Sequence, residues 1–406
     1  MRVVSDLHLH SRYSRATSRD LSIDTLERYA RIKGVTLLGT GDFTHPLWLN
    51  ELKQKLKEEN GILKTSSGFP FILQAEISNI YTQDNKLRKV HNVILAPSFE
   101  IVEQINELLG KKGNLEADGR PIFGKYSCVE LADDLMKISR DIEIIPSHCW
   151  TPWFSIFGSM SGFDSVEECF QDRSSYIHAL ETGMSSDPAM NWRLSKLDKY
   201  TLVSNSDSHS FWPWRMGREC NIFDLEEVTY NNIVKAIRTN EGFLCTIETS
   251  PSYGKYHFDG HRLCNFSCSP EEAVKIKNIC PVCGRALTIG VAHRVNELAD
   301  RPEGFVLEKA HPFRILLPLH EIISAIMKTS MSSKKVWQEY NKLLAAFNDE
   351  FNVLLNAPHS ELRKLTDSKI ADMIMRNREG KINVKPGFDG EYGVAIVETD
   401  EQKRLF

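Results

Sequence analysis

Short apolar segments alternate with helical patterns through the first half of the chain, and this alternation constrains the fold more than any other feature. Residues 22–34 predict a helix, because Ser22 is a good N-cap and Gly34 a good C-terminal stop. Further helices are predicted near 47–59, 98–109 and 127–138, and strands at 2–4, 35–41, 69–77, 90–96, 142–146, 177–180 and 201–203. This order is typical of a parallel, barrel-like α/β domain.

Imidazole and carboxylate groups stand at or just beyond the ends of these strands. His8 and His10 share one face of an extended segment, although an isolated pair of this kind also fits a buried core. The other candidates are Asp42, Glu76, His91, His148, Asp207 and His209, of which only His91 lies early in its strand. Strand ends line the reactive face of a barrel, so the set predicts a metal centre. Its ligand types suit Zn²⁺, Mn²⁺ or Fe²⁺, with Mg²⁺ a further candidate, and a bridging carboxylate suits a hydrolytic site.

Four of the nine cysteines occur at metal-ligand spacing. Cys264 and Cys268 are separated from Cys280 and Cys283 by eleven residues. Two such pairs predict a tetrahedral structural zinc site that folds a small ribbon, although four free thiols remain the alternative. We expect the other five cysteines to be reduced thiols, and the neighbouring His257, His261 and His293 to lie on the surface.

Aromatic and basic side chains cluster in the segments beside the predicted ligands. The aromatic candidates either stack on an extruded base or fold back to cap the barrel. The basic ones either neutralise phosphates or are ordinary surface charges. These candidates for substrate binding are Trp150, Trp153, Phe154, Trp212, Trp214, Arg12, Arg15 and Arg215.

The remaining composition limits the class of protein. The 406 residues leave room for two or three domains, which we place at 1–250, 251–296 and 297–406. The last part is helical in pattern, at 317–328, 332–344 and 350–355, and carries many Lys and Arg residues that either contact DNA or form a solvated face. The net charge of -4 gives no global basic signal. No apolar run reaches about 18 residues and no signal peptide is evident, so we expect a cytoplasmic protein without a membrane segment.

The segment Gly119–Tyr126 nearly matches a phosphate-binding P-loop. Tyr126 stands where a Ser or Thr must hold magnesium, and no predicted strand precedes the segment. We therefore expect a loop with no ATPase function.

The strand-end motifs resemble those of the PHP (polymerase and histidinol phosphatase) superfamily over residues 1–250. The resemblance implies a distorted (β/α)7 barrel with a two- or three-metal phosphoesterase site. By motif, His8, His10, Glu76 and Asp207 would hold one ion and would be the catalytic residues. Glu76 would bridge to a second ion held by His91 and His148, and Asp42 and His209 would hold a third. Asp42 stands where the superfamily usually has histidine, and residues 15–17 lack a further ligand of that third ion.

The order of barrel, cysteine ribbon and basic helical module resembles endonuclease Q, as does the segment from Pro386 to Gly393. The resemblance implies hydrolysis of double-stranded DNA on the 5′ side of uracil, hypoxanthine, xanthine and abasic sites, by a protein that we expect to be a monomer. It also implies a clamp-binding peptide in some members, of which Gln402–Phe406 offers only a fragment. The alternatives are a small-molecule phosphatase of the histidinol phosphatase type and a non-catalytic DNA-binding scaffold.

Overall fold

The computed structural model describes residues 1–396. The strands are β1 (Arg2–Asp6), β2 (Leu37–Gly39), β3 (Lys57–Glu59), β4 (Ile62–Lys64), β5 (Pro70–Gln83), β6 (Lys86–Ala96), β7 (Ile122–Gly124), β8 (Glu143–Pro146), β9 (Ala179–Glu181), β10 (Thr201–Val203), β11 (Cys220–Asp224), β12 (Phe243–Glu248), β13 (Asp259–His261), β14 (Phe266–Cys268), β15 (Phe313–Ile315), β16 (Asn383–Lys385) and β17 (Val394–Ile396).

Helices occur between many of these strands and dominate the C-terminal part. They are α1 (Ile23–Lys33), α2 (Pro46–Lys55), α3 (Phe99–Gly110), α4 (Cys128–Ile138), α5 (Val166–Phe170), α6 (Pro188–Asn191), α7 (Tyr230–Thr239), α8 (Pro270–Lys275), α9 (Val291–Leu298), α10 (Leu319–Met327), α11 (Lys334–Phe347), α12 (Glu350–Leu355), α13 (His359–Leu365) and α14 (Ser368–Arg378). Within residues 1–396, none of these helices is long and apolar enough to cross a membrane.

Helix α1 forms where its capping residues predict it. The hydroxyl of Ser22 accepts a hydrogen bond from the backbone N–H of Thr25, and Gly34 ends the helix with φ of 93°. The predicted strands and the helices α3 and α4 are likewise confirmed within a few residues. The helix predicted to reach residue 59 ends at Lys55, because Lys57–Glu59 instead pairs with β4.

The main sheet is mixed, whereas the sequence pattern favoured a parallel one. Strands β1, β2 and β5 are parallel neighbours, but β6 runs antiparallel to both β5 and β8. The reversal comes from the two residues between β5 and β6, Asp84 and Asn85, whose φ angles are 52° and 58°. Two successive positive φ angles are the mark of a type I′ hairpin turn, which Asp and Asn tolerate well. The middle of strand β6, around His91 and Val93, consequently lies beside Glu76 of β5.

Seven strands succeed one another around a common interior. Beyond the pairs from β1 to β8, a parallel bridge joins Ile144 to Ile177, β9 pairs with β10, and Leu9 bridges Ser208. Each of these strands contributes to one buried cluster, which contains Val3, Leu37, Ile72, Val93, Ile145, Ala179 and Val203. Side chains of α7 join the same cluster. The polar strand ends therefore sit above a continuous apolar interior.

The C-terminal helices form a separate hydrophobic cluster and also contact the N-terminal part directly. The Nζ of Lys33, at the end of α1, lies 2.6 Å from Oε1 of Glu350 in α12, and both side chains are buried. The hydroxyl of Tyr340 donates to the other oxygen of Glu350 at 2.8 Å. Helices α10, α11 and α12 match the predicted segments, whereas α13 and α14 were not predicted. A buried ion pair thus fixes the helical part against α1.

Candidate active site

The first group of ligand atoms lies beyond the end of β1. Leu7 and Leu9 point into the apolar core, so that His8 and His10 face the opposite side, and both imidazoles are fully buried. Nε2 of His8 lies 3.6 Å from both Oε1 of Glu76 and Oδ1 of Asp207. Nε2 of His10 lies 3.4 Å from Oε2 of Glu76 and 3.0 Å from Oδ1 of Asp207. The four predicted ligands therefore converge on one point.

A second group shares Glu76 with the first. Oε1 of Glu76 lies 3.1 Å from Nδ1 of His91 and 3.2 Å from Nε2 of His148, and these two nitrogens are 3.3 Å apart. His91 reaches the site because β6 runs antiparallel to β5, with His91 opposite Ser78 and Val93 opposite Glu76. Oε1 of Glu76 thus lies near both groups and Oε2 near His10 of the first, so that this carboxylate is shared, as a bridging ligand requires.

The atoms at the centre of both groups fit divalent cations. Nε2 of His8, Nε2 of His10, Oε1 of Glu76 and Oδ1 of Asp207 are buried without a hydrogen-bond partner, although buried polar atoms are rarely left so. Ligands at about 2.0–2.1 Å from a tetrahedral ion would stand about 3.3–3.4 Å apart. The observed separations of 3.0–3.6 Å match that shell. The residues present therefore suit two ions that share one carboxylate.

The charge balance of the site also favours cations. Burial lowers the pKa of His8, but the carboxylates of Glu181, Glu76 and Asp207 outweigh it and raise this pKa well above 6.5. The pKa of His10 is raised in the same way by Asp42 and Asp207. For Asp207, burial opposes ionisation, yet the neighbouring histidines lower its pKa far below 3.8. The pocket is thus strongly negative when its histidines are neutral, which is the condition for metal binding.

Two carboxylates contact Nδ1 of the candidate ligands His8 and His10, on the side of each ring away from Nε2. Glu181, at the end of β9, lies 3.0 Å from Nδ1 of His8 through both oxygens, and Oδ1 of Asp42 lies 3.0 Å from Nδ1 of His10. Each carboxylate accepts a hydrogen bond from Nδ1–H, which leaves the lone pair of Nε2 free for an ion and raises the basicity of Nε2. Glu181 was not predicted as a site residue, although it is a carboxylate at a strand end like the others.

The two residues predicted for a third ion are placed differently. Among residues 1–396, neither Asp42 nor His209 joins a cluster of potential ligands. The oxygens of Asp42 are occupied by His10, by the backbone N–H of Ser11 and by the hydroxyl of Ser14. The ring centroid of His209 lies 4.3 Å from that of His10, with the two rings tilted by 41°, and Nδ1 of His209 lies near the carbonyl of Asp207. Asp42 therefore acts on the geometry of His10.

Three site residues have backbone conformations that side chains rarely adopt. The φ angles of Asp42, His148 and Asp207 are 40°, 30° and 49°. Each such residue costs about 1–3 kcal/mol and persists where the surrounding structure holds it. The strain is concentrated where strands end, and it turns each of these side chains toward the centre.

Of the predicted aromatic residues, Phe154 lies nearest the metal ligands. Its ring centroid is 4.8 Å from that of His91, and its side chain is half-buried. Trp153 is also half-buried and packs on Tyr256. Trp150, by contrast, is only 1% exposed, because its Nε1 donates to Asn191 inside the core. Its faces are not open to a base, which corrects the expectation for this residue.

The second aromatic segment packs on the C-terminal helices. Trp212 and Trp214 stack on each other at 5.1 Å, and each lies 5.9 Å from Trp337 of α11. Trp214 is 8% exposed and also contacts His320. The structure therefore places these two tryptophans in a contact between segments, where Trp214 is closed to a base and Trp212 is half-buried.

The predicted arginines are divided between the surface and a cavity. Arg12 forms an ion pair with Glu51, and Arg15 is largely exposed beside Asp118. Arg215 lines a cavity of about 570 Å³ that opens beside the metal ligands. Its walls include His148, Asp207, Arg215, Lys255, Tyr256 and Tyr392. The cavity therefore joins the candidate centre to basic and aromatic side chains from three stretches of the chain.

The cysteine-rich segment brings a histidine together with three of the four predicted cysteines. His261, Cys264, Cys280 and Cys283 bring their ligand atoms within 4.8 Å of one another, with Nδ1 of His261 at 3.4 Å from Sγ of Cys283. Cys268 pairs with Asp259 in the β13–β14 hairpin, two residues along the strand from His261. Among the described residues, Cys268 does not join this group of ligand atoms.

The other two histidines near the ribbon also differ from expectation. His293 is 5% exposed, and its Nδ1 lies 2.6 Å from Oδ2 of the buried Asp259. His257 is partly buried, and burial lowers its pKa to about 4. Neither is a simple surface histidine.

Comparisons with known proteins place these features in a family. Residues 318–381 match the family named MJ0043 C-terminal domain. The uncharacterized protein MJ0043 of Methanocaldococcus jannaschii is 34% identical over 251 residues, which cover 61% of this chain but only 31% of that protein. The uncharacterized protein YqxK of Bacillus subtilis is 28% identical over 97% of this chain and 98% of its own length.

Two crystal structures match almost the whole chain. The lesion-specific endonuclease PfuEndoQ from Pyrococcus furiosus is 30% identical, with a TM-score of 0.87, and the match covers 100% of this chain and 99% of that one. Endonuclease Q in complex with a 27-mer duplex carrying an abasic lesion at the active site is 31% identical, with a TM-score of 0.88 and 98% of each chain covered. The chain belongs to the endonuclease Q family. Membership in the endonuclease Q family confirms the expected class of enzyme, a metal-dependent nuclease or phosphodiesterase.

Proposed function

We propose that the chain is a lesion-specific DNA endonuclease that hydrolyses the phosphodiester 5′ of deaminated bases and abasic sites. The observation that carries the proposal is the convergence of orphaned, buried ligand atoms at the mouth of a cavity of about 570 Å³. The match to a structure of endonuclease Q bound to an abasic duplex supports the same substrate class. Uracil, hypoxanthine and xanthine are the deaminated bases that we include.

The framework of the site supports a distorted seven-stranded barrel. The succession β1, β2, β5, β6, β8, β9 and β10 returns to β1 through the bridge between Leu9 and Ser208. Two of its neighbouring pairs are antiparallel, which is the distortion. Such closure holds His8, Glu76 and Asp207 on rigid elements, as accurate positioning of a catalytic site requires.

The ligand residues divide the chemistry among themselves. His8, His10, Glu76 and Asp207 would hold one ion, and Glu76, His91 and His148 a second. Two divalent ions, whether Zn²⁺, Mn²⁺, Fe²⁺ or Mg²⁺, would supply activation of water and neutralisation of charge on the phosphate.

The cavity offers a place for an everted base or an abasic sugar. Eversion costs least where the base is mispaired or missing, which gives part of the selectivity for lesions. Phe154, beside His91, is the best placed of the predicted aromatics to stack on a neighbouring base. Arg215 and Lys255 would neutralise backbone phosphates from the cavity wall.

The accessory parts would bind the duplex around this centre. We propose domains at 1–250, 251–296 and 297–406, with a structural Zn²⁺ held by His261, Cys264, Cys280 and Cys283. A small ribbon of this kind gains its folding energy from the ion. The basic C-terminal helices would contact DNA. We also propose that the protein works as a monomer in the cytoplasm. Gln402–Phe406, the fragment related to a clamp-binding peptide, lies outside the described residues.

An end-labelled duplex assay tests the proposal against both alternatives. Chelator-stripped protein, reloaded with manganese or zinc, is incubated with duplexes containing uracil, hypoxanthine, an abasic site or no lesion, and in parallel with histidinol phosphate. We expect nicks only in the lesion duplexes. Phosphate release from histidinol phosphate alone would favour the phosphatase, and tight DNA binding without cleavage by any metal would favour the scaffold.

A pair of variants checks that the predicted centre is responsible. The double substitution His8→Ala/Asp207→Ala removes two ligands of the first ion and should abolish cleavage while DNA binding persists. Asp172→Asn, at an exposed carboxylate paired with Arg173, is the matched control and should cleave normally. Equal activity of the double variant and the control would rule out this centre.

A further inference from the structure

The segment that resembled a P-loop lies against the metal ligands. Gly119 donates its N–H to the carbonyl of Tyr13 and accepts from the hydroxyl of Thr44 through its own carbonyl. A Cβ atom on this residue would stand 2.2 Å from Oδ2 of Asp42 and 2.4 Å from Oγ of Ser14. Only glycine therefore lets the backbone approach so closely, and the approach delivers the next residue to the centre.

That next residue, Arg120, reaches the bridging carboxylate. Its Nη1 lies 3.0 Å from Oε2 of Glu76, which is fully buried. The backbone N–H of Arg120 donates to Oδ1 of the buried Asp118, which fixes where the side chain starts. The side chain itself is 25% exposed, so it is partly open to solvent and not closed inside the core. Arg120 is thus both anchored and accessible.

The negative charges around the candidate site indicate a role for the guanidinium of Arg120. The four carboxylates Glu76, Asp207, Asp42 and Glu181 carry four negative charges that two divalent ions would balance. A bound phosphodiester adds one negative charge, and its transition state gathers more on the non-bridging oxygens. The oxygens of Asp42 are already engaged, so this carboxylate offers little to a third ion. A positively charged side chain held at the site would balance the negative charge that the phosphodiester adds.

We propose that Arg120 is a catalytic residue that donates to a non-bridging oxygen of the scissile phosphate. The inference rests on the proposed endonuclease function and adds a contact to the same site. A guanidinium has five N–H donors in a planar fork, and in the free protein one is directed at Glu76 while the others remain for a phosphate. The pair with Glu76 holds the fork in position before DNA binds.

Single-turnover cleavage of an abasic duplex by the metal-loaded protein tests the role. Arg120→Gln should lower the rate constant at saturating protein by about 100- to 1,000-fold, the usual effect of losing one donor to a developing charge. The protein concentration for half-saturation should change by less than about threefold, because most of the binding comes from other phosphates. Arg120→Lys should restore at least about tenfold over Gln, because it keeps the charge without the fork. Arg173→Gln, at an arginine remote from the ligands, is the matched control.

Metal content and binding of an uncleavable duplex separate this role from a structural one. Elemental analysis should find the same number of ions in Arg120→Gln as in the wild type, and both should bind equally to a duplex whose scissile phosphate is a neutral methylphosphonate. Loss of an ion in Arg120→Gln would show that Arg120 only holds Glu76, and a rate within threefold of the wild type would show that it has no role. Either result overturns the inference while the endonuclease stands. Failure of the wild-type protein to nick any lesion overturns both.

Discussion

Replacing Glu181 with glutamine should weaken the first metal site without removing any metal ligand. The carboxylate of Glu181 accepts from Nδ1 of His8 at 3.0 Å, from the backbone N–H of His148 at 2.8 Å and from Nδ2 of Asn205 at 2.9 Å. An amide replaces one of its oxygens by an NH2 group, so at least one of these donors would face another donor. The charge that raises the basicity of His8 is lost as well.

The expected size follows from the role of such carboxylates. Loss of a partner behind a ligating histidine typically costs 10- to 100-fold in metal affinity, or about 1.4–2.7 kcal/mol. We expect Glu181→Gln to show this loss for one ion in competition with a chelating dye, and a parallel fall in cleavage at limiting metal. Cleavage should recover in excess metal, because the ligands themselves remain.

A second pair of a buried glutamate and a histidine provides the control. Glu143 is fully buried and lies 3.1 Å from Nδ1 of His178, but it lies outside the candidate centre. Glu143→Gln should lower stability and leave metal affinity within twofold of the wild type. If Glu181→Gln retains full affinity, or if both variants lose it equally, the proposed orientation of His8 is refuted.

Three further predictions concern the rest of the chain. Glu350→Gln should destabilise the protein by about 3–5 kcal/mol, because Lys33 loses its buried partner. Glu339→Gln, at a surface pair, should cost less than about 1 kcal/mol. Denaturant titrations followed by tryptophan fluorescence measure both costs, and equal costs would contradict the account. Burial raises the pKa of Glu248 from 4.5 to about 8, so the stability of the wild-type protein should fall as pH rises between these values. Glu248→Gln should reduce that fall in melting temperature. An unchanged dependence on pH would show that Glu248 does not cause it. His261→Ala should lose the ribbon zinc in elemental analysis while Cys268→Ser keeps it, and the reverse result would restore the four-cysteine site.

Much of the centre could be predicted from sequence because most of its ligands follow or end short apolar segments, although Glu76 lies inside β5, which continues to Gln83. His8, Glu76, His148 and Asp207 each follow or end a short apolar segment, and the structure brings these groups together. His91 lies near Glu76 only because β6 runs antiparallel to β5, and this direction depends on the turn between the two strands. A two-residue turn is a weak sequence signal for a hairpin, and the alternation of strand and helix patterns around it favoured a parallel sheet.

The remaining differences come from contacts that are distant in sequence. Glu181 lies 173 residues from His8, and no local pattern links the two. Cysteine spacing favoured Cys268, whereas the group of ligand atoms in the described structure contains His261 in its place. The aromatic character of Trp214 was recognised, but its burial depends on α10 and α11, more than 100 residues later. The sequence thus predicted which types of residue form the site, but not which residues from distant segments contact one another.

The central claim is that the two-ion centre hydrolyses the phosphodiester on the 5′ side of a lesion. Mapping the ends of the nicked strand at single-nucleotide resolution tests it most directly. Hydrolysis predicts one cut immediately 5′ of an abasic site or uracil, with a 3′-hydroxyl on one fragment and a 5′-phosphate on the lesion-bearing fragment. Cleavage on the 3′ side, an unsaturated sugar at the 3′ end, or equal cutting of the undamaged duplex would contradict the account.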